Sequence, residues 1–132
     1  MIVVIDTNVW ISALQFAKHR GTPALALERA MSEDVIATCD EIDAEIVRVL
    51  TEKFCWEQHR ATSALQMILA RGIRVKIRGA VRVCSDPDDD MFLECAALAK
   101  ANLLTAGDKD LLTLGTYKGT RIVTPSKYLM TR

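Results

Sequence analysis

Residues 2–14, IVVIDTNVWISAL, change from one kind of secondary structure to another at a single acidic residue. The segment Ile2–Ile5 is a continuous run of apolar, β-branched residues, which is typical of a strand buried on both faces. Asp6 ends this run abruptly, and the residues from Asn8 to about Ala17 are predicted to form a helix. A doubly buried strand followed at once by a helix favours a parallel sheet covered by helices.

The rest of the chain alternates between strand and helix patterns. Strands are predicted at residues 35–38, 73–78, 81–84, 103–106 and 121–124. Helices are predicted at residues 22–31, 40–50, 56–70, from 88 onward and 108–114, with Thr22 and Asp40 as N-caps. This order predicts an α/β fold, a three-layer α/β/α sandwich around a mostly parallel sheet, with residues 1–132 as a single domain.

The composition is that of an ordered globular protein. Half of the 132 residues are hydrophobic and 26% are charged, and 17 basic residues balance 17 acidic ones. A net charge of zero gives no overall attraction to nucleic acid or to a membrane, so such binding requires local patches. The start of the chain lacks a signal-peptide pattern, and no stretch is long enough to span a bilayer, so we expect a cytoplasmic protein. The four cysteines form no C-x-x-C pair, which makes a zinc cluster an unfavourable interpretation.

Acidic residues gather where the predicted strands end. Asp6 directly follows the first strand, Asp108 follows the strand at 103–106, and Asp89 begins the helix that leads into that strand. Glu45 borders the apolar stripe of the helix at 40–50. Because the carboxyl ends of parallel strands meet at one edge of a sheet, we expect these four carboxylates to converge there.

Four aspartates within residues 86–90 exceed what a helix N-terminus needs. In a partly desolvated cleft, each close pair of carboxylates costs on the order of a few kcal/mol unless a proton or a cation separates them. Hard divalent cations such as Mg²⁺ and Mn²⁺ prefer oxygen ligands and commonly serve phosphate chemistry. The sequence therefore predicts a Mg²⁺ or Mn²⁺ site.

Four segments together resemble the PIN domain, in the branch of toxin components related to VapC. They are IVVIDTNVWISAL, TCDEIDAE, DPDDDMFLECA and LLTAGDKDL, in this order along nearly the whole chain. The resemblance implies a metal-dependent ribonuclease whose catalytic and metal-binding acids are Asp6, Glu45, Asp89 and Asp108. It also implies supporting roles for Asn8, Asp86, Asp110 and Thr105, the last lining the floor of the site.

The resemblance leaves two positions open. The pattern D-P-x-D-x-x-F-L favours Asp89 as the third acid, and Asp90 is the neighbouring alternative. Cys39 stands where family members often have a serine before the Glu-bearing helix, so Asp40 would have to provide the cap. As a working assignment, Asp6 and Asp108 are direct ligands, Asp89 a ligand or water positioner, and Glu45 a ligand through water or a base. The implied partners are an RNA substrate, an antitoxin protein and a second copy of the chain.

Two other functions fit parts of the sequence. Asp6 in D-T-N-V, followed later by G-D-K-D, partly resembles aspartate-nucleophile phosphatases and phosphotransferases, although Asn8 stands where that pattern has its second aspartate. A PIN-like module that binds protein or RNA without catalysis is the second alternative.

Basic and aromatic residues give weaker signals. Arg74, Lys76 and Arg78 are interpreted first as a solvated strand face and second as a phosphate contact. Lys18, His19 and Arg20 form a lesser basic candidate. The larger aromatic side chains are expected in the core or on a dimer surface and not as a base-stacking platform: Trp10, Phe16, Phe54, Trp56 and Phe92.

Overall fold

A six-stranded sheet forms the centre of the computed structural model, which describes residues 1–131. The strands are β1 Ile2–Ile5, β2 Val35–Thr38, β3 Ile73–Arg74, β4 Leu103–Thr105, β5 Thr116–Tyr117 and β6 Thr120–Val123. They lie in the order β3-β2-β1-β4-β6-β5. Every neighbouring pair is parallel except β5 and β6, which are antiparallel.

Helices cover the sheet. They are α1 Thr7–Gln15, α2 Thr22–Glu33, α3 Asp40–Phe54, α4 Gln58–Ile68, α5 Asp90–Ala99, α6 Lys109–Leu114 and α7 Pro125–Met130, with 3₁₀ turns at Ala17–His19 and Pro87–Asp89. Helix α5 packs on β1, β2 and β4, while α7 packs on β4 and β6. The predicted α/β/α sandwich with a mostly parallel sheet is confirmed.

The pairing of β1 with β4 places the two predicted site segments side by side. Both strands are buried on both faces, and Val4 and Leu104 have no exposed surface. Ile5 is in register with Thr105, and the Asp6 N–H donates to the Thr105 carbonyl at 3.0 Å. The first residue after β1 therefore lies next to the loop that follows β4.

Two predicted helix starts are wrong by one residue. Helix α2 has Gly21 and not Thr22 as its N-cap, and α3 has Cys39 and not Asp40. Neither cap residue makes a side-chain hydrogen bond to its helix. Asp40 is instead the first residue of α3, and its carboxylate pairs with Arg74 at 2.8 Å. Acidic residues in the first turn of α3 still complement the helix dipole.

The predicted strand at 73–78 is mostly irregular, and residues 81–84 do not form a strand. Only Ile73–Arg74 pairs with β2. Apolar residues of this segment pack on the core while its basic residues are exposed. The alternation of apolar and basic residues therefore reflects burial on one side and not pairing with a neighbouring strand. Two acids of α5 hold the chain instead. Glu94 accepts from the N–H groups of residues 78 and 80, and Asp90 accepts from those of residues 83 and 84.

The sequence patterns missed two elements near the end of the chain, β5 and α7. Helix α7 begins at Pro125, a favourable first helical residue, and the Thr124 side chain caps it by accepting from the Lys127 N–H. The Arg29 guanidinium of α2 donates to the carbonyls of Tyr128 and Leu129 at 2.8 and 2.9 Å. These contacts fix a helix whose six residues are too few to be stable alone.

Within residues 1–131, no helix is both long and apolar enough to cross a membrane.

Candidate active site

Asp6 is the central acid of the site. It is 3% exposed and caps α1, with Oδ1 accepting from the Val9 N–H at 2.9 Å and Oδ2 from the Gly107 N–H at 3.3 Å. Burial raises the pKa of Asp6 to about 6, against the lowering effect of the two N–H groups, and the charges of Asp108 and Glu45 add to the rise. A carboxyl group with this pKa is protonated in a fraction of the molecules near neutral pH and would ionise fully beside a bound metal ion.

Asp89 and Asp108 form a carboxyl pair. Asp108 caps α6, and its Oδ1 accepts from the Asp110 N–H at 2.7 Å. Burial, followed by the hydrogen bond and charge of Asp108, raises the pKa of Asp89 to about 7. The same hydrogen bond lowers the pKa of Asp108. The two carboxyl groups therefore titrate as a pair, which keeps one proton up to the neutral range.

Glu45 reaches the site from α3 and is held by two neighbours. Its Oε2 accepts from the Thr7 hydroxyl at 2.9 Å, and its Oε1 lies 3.8 Å from a guanidinium nitrogen of Arg48. Thr7 follows Asp6 directly, so α1 both carries one acid and orients another. The Glu45 side chain is 25% exposed, which leaves it accessible from solvent.

A cavity of about 230 Å³ connects these residues, and we call it the acidic cavity. All four predicted acids line it, although they come from four separate segments of the chain. Its lining side chains are Asp6, Thr7, Asn8, Glu45, Arg48, Val49, Lys53, Asp86, Asp88, Asp89, Phe92 and Asp108. The lining therefore contains six carboxylates and only two basic side chains, those of Arg48 and Lys53. A larger cavity, of about 510 Å³, lies between α3 and α4 and contains none of the four acids.

The supporting residues predicted from the sequence are divided between the cavity and its surroundings. Asn8 and Asp86 line the acidic cavity. Thr105 is fully buried beside Asp6, and its hydroxyl has no hydrogen-bond partner within the described residues. Asp110 contributes its N–H to Asp108 but does not line the cavity.

Asp90 also lies outside the cavity lining. Its Oδ1 accepts from the N–H groups of Val83 and Cys84 at 3.0 and 2.8 Å. Because successive residues of a helical turn point in different directions, Asp89 faces the other acids while Asp90 holds the preceding loop. Of the two alternatives, Asp89 is the one that the geometry groups with Asp6, Glu45 and Asp108.

Sequence reasoning missed three polar residues of the cavity, Thr7, Arg48 and Lys53, and it counted Asp88 among the crowded aspartates without giving it a role. The spacing of Arg48 was informative, since it lies three residues after Glu45 on the same helix face. The basic residues predicted at 74–78 do not line this cavity. Arg74 is paired instead with Asp40 and Asp43, at 2.8 and 2.7 Å.

The donor chemistry of the acidic cavity fits a hard divalent cation. Its donors are carboxylate oxygens, the ligands that Mg²⁺ and Mn²⁺ prefer. Asp89 Oδ2 is buried and has no hydrogen-bond partner among the described residues. Among residues 1–131, no group of three His, Cys, Asp or Glu side chains is already arranged to coordinate a metal ion. Carboxylates that repel one another and share a proton would have to move together around an ion.

Comparison with known proteins supplies the family. A family model described as PIN domain matches residues 2–110, a range that contains all four acids. The chain belongs to the PIN-domain family. Members of this family are nucleases, which agrees with the reaction class predicted from the motifs. This PIN domain is 31% identical over 117 residues to the uncharacterized protein MJ1680 of Methanocaldococcus jannaschii, and the match covers 85% of this chain and 74% of that protein.

The fold of this PIN domain also matches a solved structure. A chain in the crystal structure of VapBC2 from Rickettsia felis, bound to a DNA fragment from their promoter, has a TM-score of 0.61 with this chain. The match covers 92% of this chain and 97% of that chain at 15% sequence identity. At this identity the likeness establishes a shared fold.

Proposed function

We propose that this PIN domain is a metal-dependent endoribonuclease that hydrolyses RNA phosphodiester bonds. The convergence of Asp6, Glu45, Asp89 and Asp108 on one cavity carries the proposal. Three of these acids lie at the carboxyl ends of β1 and β4 or in the turn that starts α5. A structural cap needs one carboxylate, whereas four that meet from separate segments favour cation binding.

The four acids would hold Mg²⁺ or Mn²⁺. When bound, such an ion would neutralise the cavity, attract a phosphate oxygen and lower the pKa of a water molecule for attack on phosphorus. Asp6 provides oxygens that the N–H groups of Val9 and Gly107 already orient. Asp89 and Asp108 release their shared proton and become available as oxygen donors.

Glu45, Arg48 and Lys53 would act on the water molecule and the RNA substrate. The Thr7 hydroxyl holds Oε2 of Glu45, so that the carboxylate can position a water molecule and accept its proton. Arg48 and Lys53 supply the positive charge that brings a phosphodiester toward an otherwise acidic surface.

The environment of Asp6 disfavours the phosphatase alternative. A nucleophilic carboxylate must present an oxygen to the phosphorus atom, but Asp6 is 3% exposed and both its oxygens accept backbone hydrogen bonds. Trapping an aspartyl-phosphate on Asp6 would reverse this interpretation. If the protein neither cleaves RNA nor binds metal, that result supports the alternative of a non-catalytic binding module.

The test is RNA cleavage by purified protein with Mn²⁺, with Mg²⁺ and with EDTA. We expect cleavage only with metal, and we expect Asp6→Asn and Asp108→Asn to abolish it. Glu33→Gln is the matched control because Glu33 is exposed on α2, outside the acidic cavity. Cleavage that survives in both Asp variants, or that is unchanged by EDTA, would falsify the proposal.

We further propose that the chain is the toxin of a toxin–antitoxin pair, is cytoplasmic and acts as a homodimer of single-domain subunits spanning residues 1–132. The support is the shared fold with VapBC2, whose solved structure is that of a complex. Coexpression with the product of the adjacent gene should relieve growth arrest and yield a stable complex. Light scattering of the purified chain tests the homodimer, and a monomer at all concentrations contradicts it.

A further inference from the structure

A second concave surface lies beside the acidic cavity. It has a volume of about 410 Å³ and is formed where the end of α1 and the 3₁₀ turn Ala17–His19 face the connection between α3 and α4. We call it the aromatic cleft, and its chemically distinctive lining residues are Phe16, Lys18, His19, Phe54, Trp56 and Arg60.

The aromatic rings of the cleft are fixed in place, and one of them is open to solvent. Phe16 is 49% exposed and packs edge-on against Phe54, with ring centroids 6.4 Å apart and an interplanar angle of 86°. The Trp56 indole N–H donates to Gln15 at 2.8 Å, and the Arg60 guanidinium lies 4.0 Å from the centre of the Trp56 ring. Phe54 and Trp56 pack against the core, as the sequence predicted, whereas Phe16 is exposed, and its predicted alternative of a dimer surface stays a prediction.

The charge of the aromatic cleft is opposite to that of the acidic cavity. Lys18, His19 and Arg60 line the cleft, and no described lining residue is acidic. Arg20, the third basic residue of this sequence segment, is paired with Glu28 at 3.2 Å and is not part of the lining. A basic surface with an exposed ring suits a ligand that combines phosphates with flat bases.

Two helices connect the aromatic cleft with the acidic cavity. Helix α1 carries Asn8 in the cavity near its start and is followed directly by Phe16 in the cleft, about 12 Å away at roughly 1.5 Å per residue. Helix α3 places Lys53 in the cavity, and the adjacent Phe54 lines the cleft. A single strand only a few nucleotides long would span both surfaces, with Lys53 between them.

From this geometry we infer that the aromatic cleft binds single-stranded RNA next to the bond that is cleaved. One base stacks on the exposed face of Phe16, and the flanking phosphates contact Lys18 and Arg60. The inference rests on the proposed ribonuclease function and adds to it the surface that holds a base beside the cleaved bond. A duplex is excluded as the ligand of this surface because its bases are stacked on each other and cannot reach Phe16.

Binding is tested by fluorescence anisotropy with a labelled single-stranded RNA in EDTA, where no cleavage occurs. We expect Phe16→Ala to weaken binding roughly tenfold and Phe16→Trp to restore it. Met67→Ala is the matched control, since Met67 is an exposed apolar residue of α4 that does not line the cleft. Lys18→Gln should reduce the slope of log affinity against log salt by about 0.7, whereas Lys127→Gln should leave it unchanged.

The outcomes separate this inference from the proposed function. Binding that depends on Phe16 and Lys18 without any metal-dependent cleavage keeps the cleft and overturns the nuclease. Cleavage with unchanged KM and affinity in Phe16→Ala keeps the nuclease and overturns the cleft. The cleft is also overturned if the wild-type chain binds no RNA, or if Phe16→Ala alters only subunit association, which would make this a protein-binding surface.

Discussion

Asp89 and Asp108 line the same cavity, and each carboxyl group shifts the pKa of the other, upward for Asp89 and downward for Asp108. The pKa of Asp89 is raised to about 7 as a result of burial and of this neighbour. The pKa of Asp6 is also raised, to about 6. In the absence of a cation, protons limit the repulsion in the acidic cavity, and four predictions derive from this relationship and its surroundings.

The stability of the metal-free protein should fall as pH rises from about 5 to about 7.5. Folded Asp6 keeps its proton up to about pH 6 while the unfolded chain releases it near 3.8, so the folded state binds more protons in this window. Asp6 alone should lower the free energy of unfolding by on the order of 1 kcal/mol across it. Urea unfolding at both pH values measures this, and Asp6→Asn should show a smaller fall. An equal fall in the variant contradicts the assignment.

Mn²⁺ should raise the melting temperature more at about pH 7.5 than at about pH 5. Protons and cations compete for the same oxygens, and the raised pKa values of Asp6 and Asp89 place that competition within this range. Differential scanning fluorimetry with Mn²⁺ and with EDTA gives the shift at each pH. Asp108→Asn should lose most of it, Glu33→Gln should retain it, and a pH-independent shift would argue against these ligands.

Substitutions at Asp89 and Asp90 should have opposite effects. Asp89→Asn should abolish cleavage without loss of stability, because it removes a carboxylate from a repulsive cluster. Asp90→Ala should lower the free energy of unfolding by about 2 kcal/mol, because two N–H groups lose their acceptor. Its cleavage rate below the unfolding transition should stay within a few-fold of wild type. The reverse pattern would make Asp90 the third acid.

Thr7 should act as a positioning residue for Glu45. Thr7→Val keeps the shape of the side chain but removes the hydroxyl that donates to Glu45 Oε2, and it should lower kcat roughly tenfold or more. Thr7→Ser keeps the hydroxyl and should retain most of the activity. Steady-state cleavage by both variants, with melting temperatures as the folding control, tests the contact; equal kcat values in the two variants would contradict it.

The sequence predicted the central strands and the acids better than it predicted the edges. The β1 and β4 segments are short runs buried on both faces, and their apolar composition indicates them directly. Residues 73–84 misled the prediction, because an alternating pattern records burial on one side and does not reveal that Glu94 and Asp90 take up the backbone N–H groups. Local residue patterns cannot show such a partner on a distant helix.

The acids of the site could be predicted because they follow strands, whereas their polar neighbours could not. Lys53 and Arg48 have the exposed character of ordinary helix charges, and only the tertiary structure brings them to the acidic cavity. The aromatic cleft was missed for the same reason. Phe16 and Trp56 are 40 residues apart along the chain, and they line one cleft only because of how α1 packs against α3.

The adjacency of β1 and β4 has a consequence for the timing of synthesis. The contact between Asp6 and Gly107 closes a loop of 101 residues, and β1 has no partner on one side until β4 has left the ribosome. Such distant pairing delays folding until most of the polypeptide is available. A nascent chain that ends before Asp108 therefore has no assembled acidic cavity, and whatever chemistry the cavity performs begins only once translation of the domain is nearly complete.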